Sequence, residues 1–380
     1  MREAIQNSFG SLFFFDPFLQ MKTIMTLMEG HLGNTGYQME CMQWVVQIFD
    51  VSVGYTANRE VKTGEVIPAN INILENLNAH KIPHCSFTLV SCLIRLLKEN
   101  KSDPRLVALI SKVFGIWAIQ DRKHFGEKKI KNKKLEQNRK HIGQTEAIKV
   151  ISDCLTHHFE QVQERSKKDI YETSYADMVC LCSILWSLVV VGRPLGGIEG
   201  ETYQMNTMRN CNVLLLSMLN IHRVVCSIIK HYVILKKISA HHTSTPNFSF
   251  GYNFNNWSND NEQKSDYANS ILSKCYWLIV NLSLIDDVKK HLIGSGLIEH
   301  IVQSLQLYSS TTYKELQYRA CFALINLCVR SPAKQQILRH CGIPLIIEAM
   351  NRFPTCCYFQ KCCANLIRSL CSTNSFHTGI

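Results

Sequence analysis

The sequence predicts an all-α protein built from stacked helical units, and three observations support this fold class. Gly and Pro are scarce among the 380 residues, with 18 and 9 copies, and the alternating apolar and polar patterns of β-strands are rare. Apolar residues instead recur at helical spacing. The third observation is a repeated phrase: "YWLIVNLSL" at 276–284 returns as "CFALINLCV" at 321–329, each with an aromatic residue four positions before an Asn.

Helices in the C-terminal third follow a fixed order of short, medium and long. The predicted segments are 286–296, 297–308, 313–329, 331–342, 343–353 and 355–372, preceded by a long helix at 266–284. Gly296 and Gly342 close the two short segments and predict their ends. The two repeated asparagines, Asn281 and Asn326, stand 45 residues apart. A period of about 40–47 residues with two or three helices predicts an α-solenoid, whose units must stack to cover their apolar faces.

Repetition is weaker towards the N-terminus, where long apolar segments occupy 86–98, 105–120 and 211–236. Two polar segments interrupt the pattern, one basic and one rich in Asn and Ser, and both predict disordered insertions. The predicted organisation is irregular N-terminal helical repeats at 1–121, a basic insertion loop at 122–143, middle helical repeats at 144–240, an Asn/Ser-rich loop at 241–265 and C-terminal repeats at 266–380.

The cysteine content predicts a reducing compartment. There are 17 cysteines, an odd number, and the apolar N-terminal stretch lacks the basic flank and cleavage site of a signal peptide. The most apolar segment, 178–191, is shorter than the ~20 residues that cross a bilayer, so it predicts a buried helix. We therefore expect a cytoplasmic protein with free thiols and no membrane association.

Residues 266–372 resemble armadillo repeats, through the short helix that ends in Gly and the long helix that closes in Asn-Leu. The resemblance implies a right-handed superhelix without enzymatic activity, which binds extended peptides along a groove formed by the third helix of each repeat. In that family a groove Asn commonly holds the peptide backbone, and in the importin-alpha type a Trp one turn earlier flanks the ligand's side chains. Asn281 and Asn326 match the Asn positions, Trp277 matches the Trp, and Phe322 replaces it in the next repeat.

The third repeat departs from this pattern, with Asn365 and Ser369 at the two positions. A long ladder of Trp and Asn is therefore absent. The resemblance does not extend to recognition of nuclear import signals.

The spacing of these residues predicts a binding stripe. Lys274, Trp277 and Asn281 stand at i, i+3 and i+7 on one helix face. Arg319, Phe322 and Asn326 repeat the spacing, and stacking would bring the two stripes side by side. The amides would pair with a peptide backbone and the cations with Asp, Glu or phosphate. The alternative is that the aromatics fill the core and the asparagines pair with neighbouring segments inside the stack.

Much of the net charge of +11 lies in one segment, because residues 122–141 contain nine Lys/Arg and two Glu. This run predicts either a solvated loop or a nuclear localisation signal. The candidate signal residues are Lys128, Lys129, Lys131, Lys133, Lys134, Arg139 and Lys140. A single nearby aromatic, Phe125, offers no interleaved stacking surface, which disfavours direct nucleic-acid binding.

The sequence contains no pattern typical of an active site. A Gly-rich phosphate loop is missing, no nucleophile signature accompanies the cysteines, and the cysteines at 356–357 and 362–363 largely follow a helical core stripe. We expect no enzymatic activity, metal, cofactor or small-molecule substrate.

The predicted function is a scaffold or adaptor that binds an acidic or phosphorylated protein segment in the groove. The alternative is a nucleocytoplasmic transport or nuclear regulatory protein that uses 128–140, with a nuclear location. A second, weaker binding surface is expected on the apolar side of 355–372, because too little chain follows it to form another repeat.

Overall fold

A computed structural model describes residues 87–120, 137–168, 174–192, 211–243 and 257–372, together with seven single positions between 28 and 42. Within these residues the chain consists of helices and connecting turns, with no β-strand. The all-α prediction is therefore confirmed for the described part of the chain.

Fourteen α-helices have both of their bounds within the described residues. They are α1 (Phe87–Glu99), α2 (Pro104–Gln120), α3 (Gln137–Gly143), α4 (Ala147–Lys168), α5 (Tyr175–Val191), α6 (Cys211–Met218), α7 (Ile221–Thr243), α8 (Trp257–Leu282), α9 (Asp286–Gly294), α10 (Leu297–Leu307), α11 (Lys314–Leu327), α12 (Ser331–Arg339), α13 (Gly342–Arg352) and α14 (Cys357–Cys371). A short 3-10 turn, Thr311–Tyr313, precedes α11.

The helices group into four consecutive triplets, each opened by a short helix: α3, α6, α9 or α12. The helices that close the triplets pack on one another in chain order, α5 on α8, α8 on α11 and α11 on α14, and α2 packs on α5 in the same way. The middle helices of the triplets also contact one another in chain order: α4 with α7, α7 with α10, and α10 with α13. The buried apolar residues of these helices belong to one hydrophobic cluster.

Four features of the helices differ from the sequence-based expectation. Helix α8 begins at Trp257 and α7 continues to Thr243, so both extend into the segment predicted as an Asn/Ser-rich loop. Helix α3 lies inside the segment predicted as a basic insertion. The apolar run at 211–236 is divided into α6 and α7 at Asn220, whose φ of 56° is left-handed. Asn tolerates this conformation better than most residues, which allows a helix break without Gly or Pro.

The two glycines predicted to end short helices have different roles. Gly296 adopts φ 76° immediately before α10, a conformation that favours glycine. Gly342 instead opens α13, and the left-handed residue is its neighbour Cys341. A Cβ at Gly342 would lie 2.5 Å from Cγ2 of Ile337, so close packing against α12 requires glycine there. Gly342 therefore begins the next helix and does not end the short one, so the prediction of its role was wrong.

The apolar segment 178–191 lies in α5, where most side chains are buried against other helices. No single described helix has both the length and the apolar composition to cross a membrane. The α6–α7 pair has that length and composition only if Asn212–Met218 and Ile221–Ser239 are counted together, and these two parts meet at a 72° bend. The cysteines in the described residues are free thiols, and these residues hold no cluster of three or more His, Cys, Asp or Glu placed to bind a metal ion.

Candidate functional site

The predicted stripes on α8 and α11 contact each other through one cation and one ring. The guanidinium carbon of Arg319 lies 3.7 Å from the ring centroid of Trp277. Glu315, one turn earlier on α11, accepts a hydrogen bond of 2.6 Å at Oε1 from Nε of Arg319. The Arg319 side chain is 15% exposed and that of Glu315 is 41% exposed. The guanidinium is thus stacked on a ring of α8 and ion-paired with a carboxylate of its own helix, α11.

Aromatic rings continue this contact onto the last helix. Tyr318 and Phe322 are nearly parallel, with ring centroids 6.0 Å apart. The edge of Tyr358 on α14 meets Tyr318 at 5.0 Å, and the Arg319 guanidinium lies 5.4 Å from the Tyr318 ring. We call the five residues Trp277, Tyr318, Arg319, Phe322 and Tyr358 the aromatic strip. It crosses three successive long helices, α8, α11 and α14.

Every residue of the strip keeps part of its surface accessible. Trp277, Tyr318, Arg319 and Phe322 are partly buried, and Tyr358 is 39% exposed. Burial raises the pKa of Tyr318 and of Tyr358, so both phenols stay protonated and can donate hydrogen bonds at neutral pH. Trp277 and Phe322 pack against the core and remain only partly buried.

Lys274 lies one turn before Trp277 on α8. Its Nζ donates to Ser270 Oγ at 2.6 Å and, more weakly, to the Ser270 carbonyl at 3.4 Å. The ammonium has no ion-pair partner among the described residues. Its charge is therefore not neutralised by a neighbouring carboxylate.

The two repeated asparagines occupy different environments. Asn281 is 3% exposed, and its Nδ2 donates to the Val189 carbonyl at 3.1 Å, at the end of α5. Asn326 is partly exposed, and its Nδ2 donates to the Phe322 carbonyl of its own helix at 2.9 Å. The two amides therefore do not form the matched clamp that the spacing suggested. Asn281 follows the alternative of a contact inside the stack, and Asn326 remains at the surface beside the strip.

The candidate nuclear localisation signal is only partly described. Lys128, Lys129, Lys131, Lys133 and Lys134 lie outside the described residues. Arg139 is 9% exposed in α3, and its carbonyl accepts from Nδ2 of Asn212 at 2.9 Å. Lys140 is exposed. Arg139 is thus part of the folded stack and not available as an exposed signal residue.

The predicted apolar surface at 355–372 is not exposed as expected. The larger apolar side chains of α14, such as Phe359, Leu366 and Leu370, are buried, and α14 packs against α11 and α13. Its exposed side carries Lys361, Ala364 and Arg368. The second binding surface that this segment was expected to form is therefore absent from the apolar side of α14.

Three residues of the site were missed from the sequence: Glu315, Tyr318 and Tyr358. Glu315 could have been found, because Glu followed by Arg at i+4 is a standard helical ion-pair spacing. Tyr318 and Tyr358 carry no comparable signal, since their contact depends on how α14 packs on α11.

No protein-family model, curated protein or solved structure matches the chain.

Proposed function

We propose that the chain is a right-handed, armadillo-like α-solenoid that acts as a non-enzymatic scaffold or adaptor. Its ligand is an extended acidic or phosphorylated protein segment that lies across the aromatic strip. The observation that carries the proposal is the stacking of Arg319 on Trp277, which joins a cation and an aromatic face across two successive long helices. The chain-order packing of α2, α5, α8, α11 and α14 supports the solenoid interpretation.

The strip offers the contacts that an extended segment needs. Partly exposed rings on α8, α11 and α14 provide flat apolar faces for ligand side chains. Asn326 places an amide beside Phe322, where it can pair with a peptide backbone. Arg319 uses only Nε in a hydrogen bond with a described residue, so Nη1 and Nη2 are available for a carboxylate or phosphate.

The surrounding charge favours an anionic ligand. Residues 266–380 contain 11 Lys/Arg and 6 Asp/Glu. Lys274 borders the strip, and Lys361 and Arg368 are exposed on α14 without an ion-pair partner among the described residues. A positive surface of this kind attracts acidic segments and repels basic ones.

Binding of defined peptides tests this proposal. A fluorescein-labelled oligoglutamate peptide should bind more tightly than oligoglutamine or oligolysine of equal length in anisotropy titrations. Changing Lys274 and Arg319 together to Glu should weaken oligoglutamate binding at least about tenfold, because two attractive charges become repulsive.

The matched control changes two exposed cations on α7, Arg223→Glu and Lys230→Glu, which alters the net charge equally. Circular dichroism and melting temperature establish that each variant is folded. If oligoglutamate binds no better than oligoglutamine, or if both double variants lose affinity equally, the strip is not the binding site.

A further inference from the structure

We propose that Glu315 is a built-in competitor for the anionic group of the ligand, so that an acidic segment binds Arg319 by displacing the carboxylate of Glu315. This inference rests on the proposed function and concerns the regulation of the same site. The Arg319 guanidinium is shared between an aromatic partner, Trp277, and a surface carboxylate, Glu315.

The carboxylate of Glu315 holds one position that a ligand anion could take. Its Oε1 lies 2.6 Å from Nε of Arg319, a charge-assisted hydrogen bond. Glu315 is the more exposed member of the pair, at 41% against 15% for Arg319. The carboxylate is therefore the member that can move into solvent, while the guanidinium remains partly covered.

Arg319 has contacts that do not depend on Glu315. Its guanidinium lies over the Trp277 ring at 3.7 Å and within 5.4 Å of the Tyr318 ring. Cation–π contacts of this kind hold a guanidinium flat on an aromatic face. When the Glu315 carboxylate leaves, these two ring contacts therefore still hold the cation in position.

Displacement requires little free energy because the ion pair is weak. A partly exposed pair at i and i+4 on one helix contributes only slightly to stability. A ligand carboxylate or phosphate can form two parallel hydrogen bonds with the guanidinium, which is a stronger interaction. Two carboxylates at one guanidinium repel each other, so Glu315 lowers the affinity for an acidic ligand as long as it remains charged.

Removing the charge of Glu315 tests the inference. Glu315→Gln keeps the size and hydrogen-bonding capacity of the side chain. At low ionic strength it should tighten binding of the oligoglutamate probe about two- to fivefold. The gain should shrink as salt is added, because exposed charges are screened. It should also vanish when Arg319 is replaced by Gln, because the competition acts through that residue.

The matched control is Glu348→Gln on α13. Glu348 forms the same type of i, i+4 pair, with Arg352 at 3.5 Å, and its side chain is 60% exposed. It lies outside the strip, so its replacement should leave the affinity unchanged. An equal gain in both variants would show a general charge effect and overturn the inference.

The remaining outcomes separate the two proposals. If the unaltered chain binds oligoglutamate and Glu315→Gln binds it equally or more weakly, the competitor inference fails, while the proposed function stands. If neither the unaltered chain nor Glu315→Gln binds the probe, the proposed function fails and the inference fails with it.

Discussion

Replacement of Asn281 by Ala should destabilise the fold by removing a hydrogen bond between α8 and α5. Val189 lies in the last turn of α5, where the final four carbonyls of a helix lack partners within the helix. Asn281 supplies the missing partner from α8, with Nδ2 3.1 Å from the Val189 carbonyl and only 3% of the residue exposed. The replacement would remove the one donor to this carbonyl that comes from the described residues.

The expected cost follows from this burial. A buried polar group left without its hydrogen bond costs about 1–3 kcal/mol, much more than the net value of an exposed hydrogen bond. The free energy of unfolding of Asn281→Ala should therefore fall by about that amount. Urea titrations followed by far-ultraviolet circular dichroism measure it, and an unchanged dependence on urea concentration shows that both variants unfold in the same way.

Asn326→Ala is the matched control, because Asn326 occupies the equivalent repeat position on α11. Its amide donates to the Phe322 carbonyl of its own helix and is partly exposed, so the loss should be below about 0.5 kcal/mol. Equal destabilisation of the two variants would refute the assignment of Asn281 to the interior. So would loss of oligoglutamate binding in Asn281→Ala without loss of stability.

Two further predictions concern packing and pH. Gly115→Ala should lower the unfolding free energy by about 1–3 kcal/mol, because the added Cβ would lie 2.2 Å from Cζ3 of Trp186. The control is Gly294→Ala, whose added Cβ meets no atom within 4 Å and should not destabilise the fold. Thermal unfolding compares the two variants. Burial, together with the neighbouring His291, lowers the pKa of His222 to about 4 from the ordinary 6.5. The unfolded chain therefore takes up the proton first, so stability should decline as pH falls from about 6.5 to 4, and His222→Gln should show a smaller decline in urea titrations across that range.

The succession of helices could be predicted from the sequence because it depends on local patterns. The apolar spacing and the repeated Asn-Leu phrase placed α9 to α14 within a few residues of their observed bounds. The break at Asn220 and the early start of α8 at Trp257 could not be predicted in the same way. The first depends on one left-handed residue inside an apolar run, and the second extends a helix through a polar segment with no apolar periodicity.

The contact between the two stripes also followed from the repeat. Stacking of similar units brings the two stripes together, but the contact is offset by one turn: Trp277 meets Arg319, the equivalent of Lys274, and not its own equivalent Phe322. The separate roles of Asn281 and Asn326 could not be predicted, because they depend on what the preceding layer leaves unpaired. Helix α5 presents the Val189 carbonyl to Asn281, whereas Asn326 donates within α11.

Two buried amides from other helices donate to the end of α5. Asn212 and Asn281 both donate to carbonyls in its last turn, those of Val191 and Val189, and both are buried. Those amides thus tie layers together and leave no donor at the surface. The contact of Arg319 with Trp277 links α8 to α11, whereas the Asn326 amide donates within its own helix. The polar groups most available to a ligand therefore lie on the α11 side of the strip, and ligand specificity should respond more to changes on α11 than to changes at Asn281.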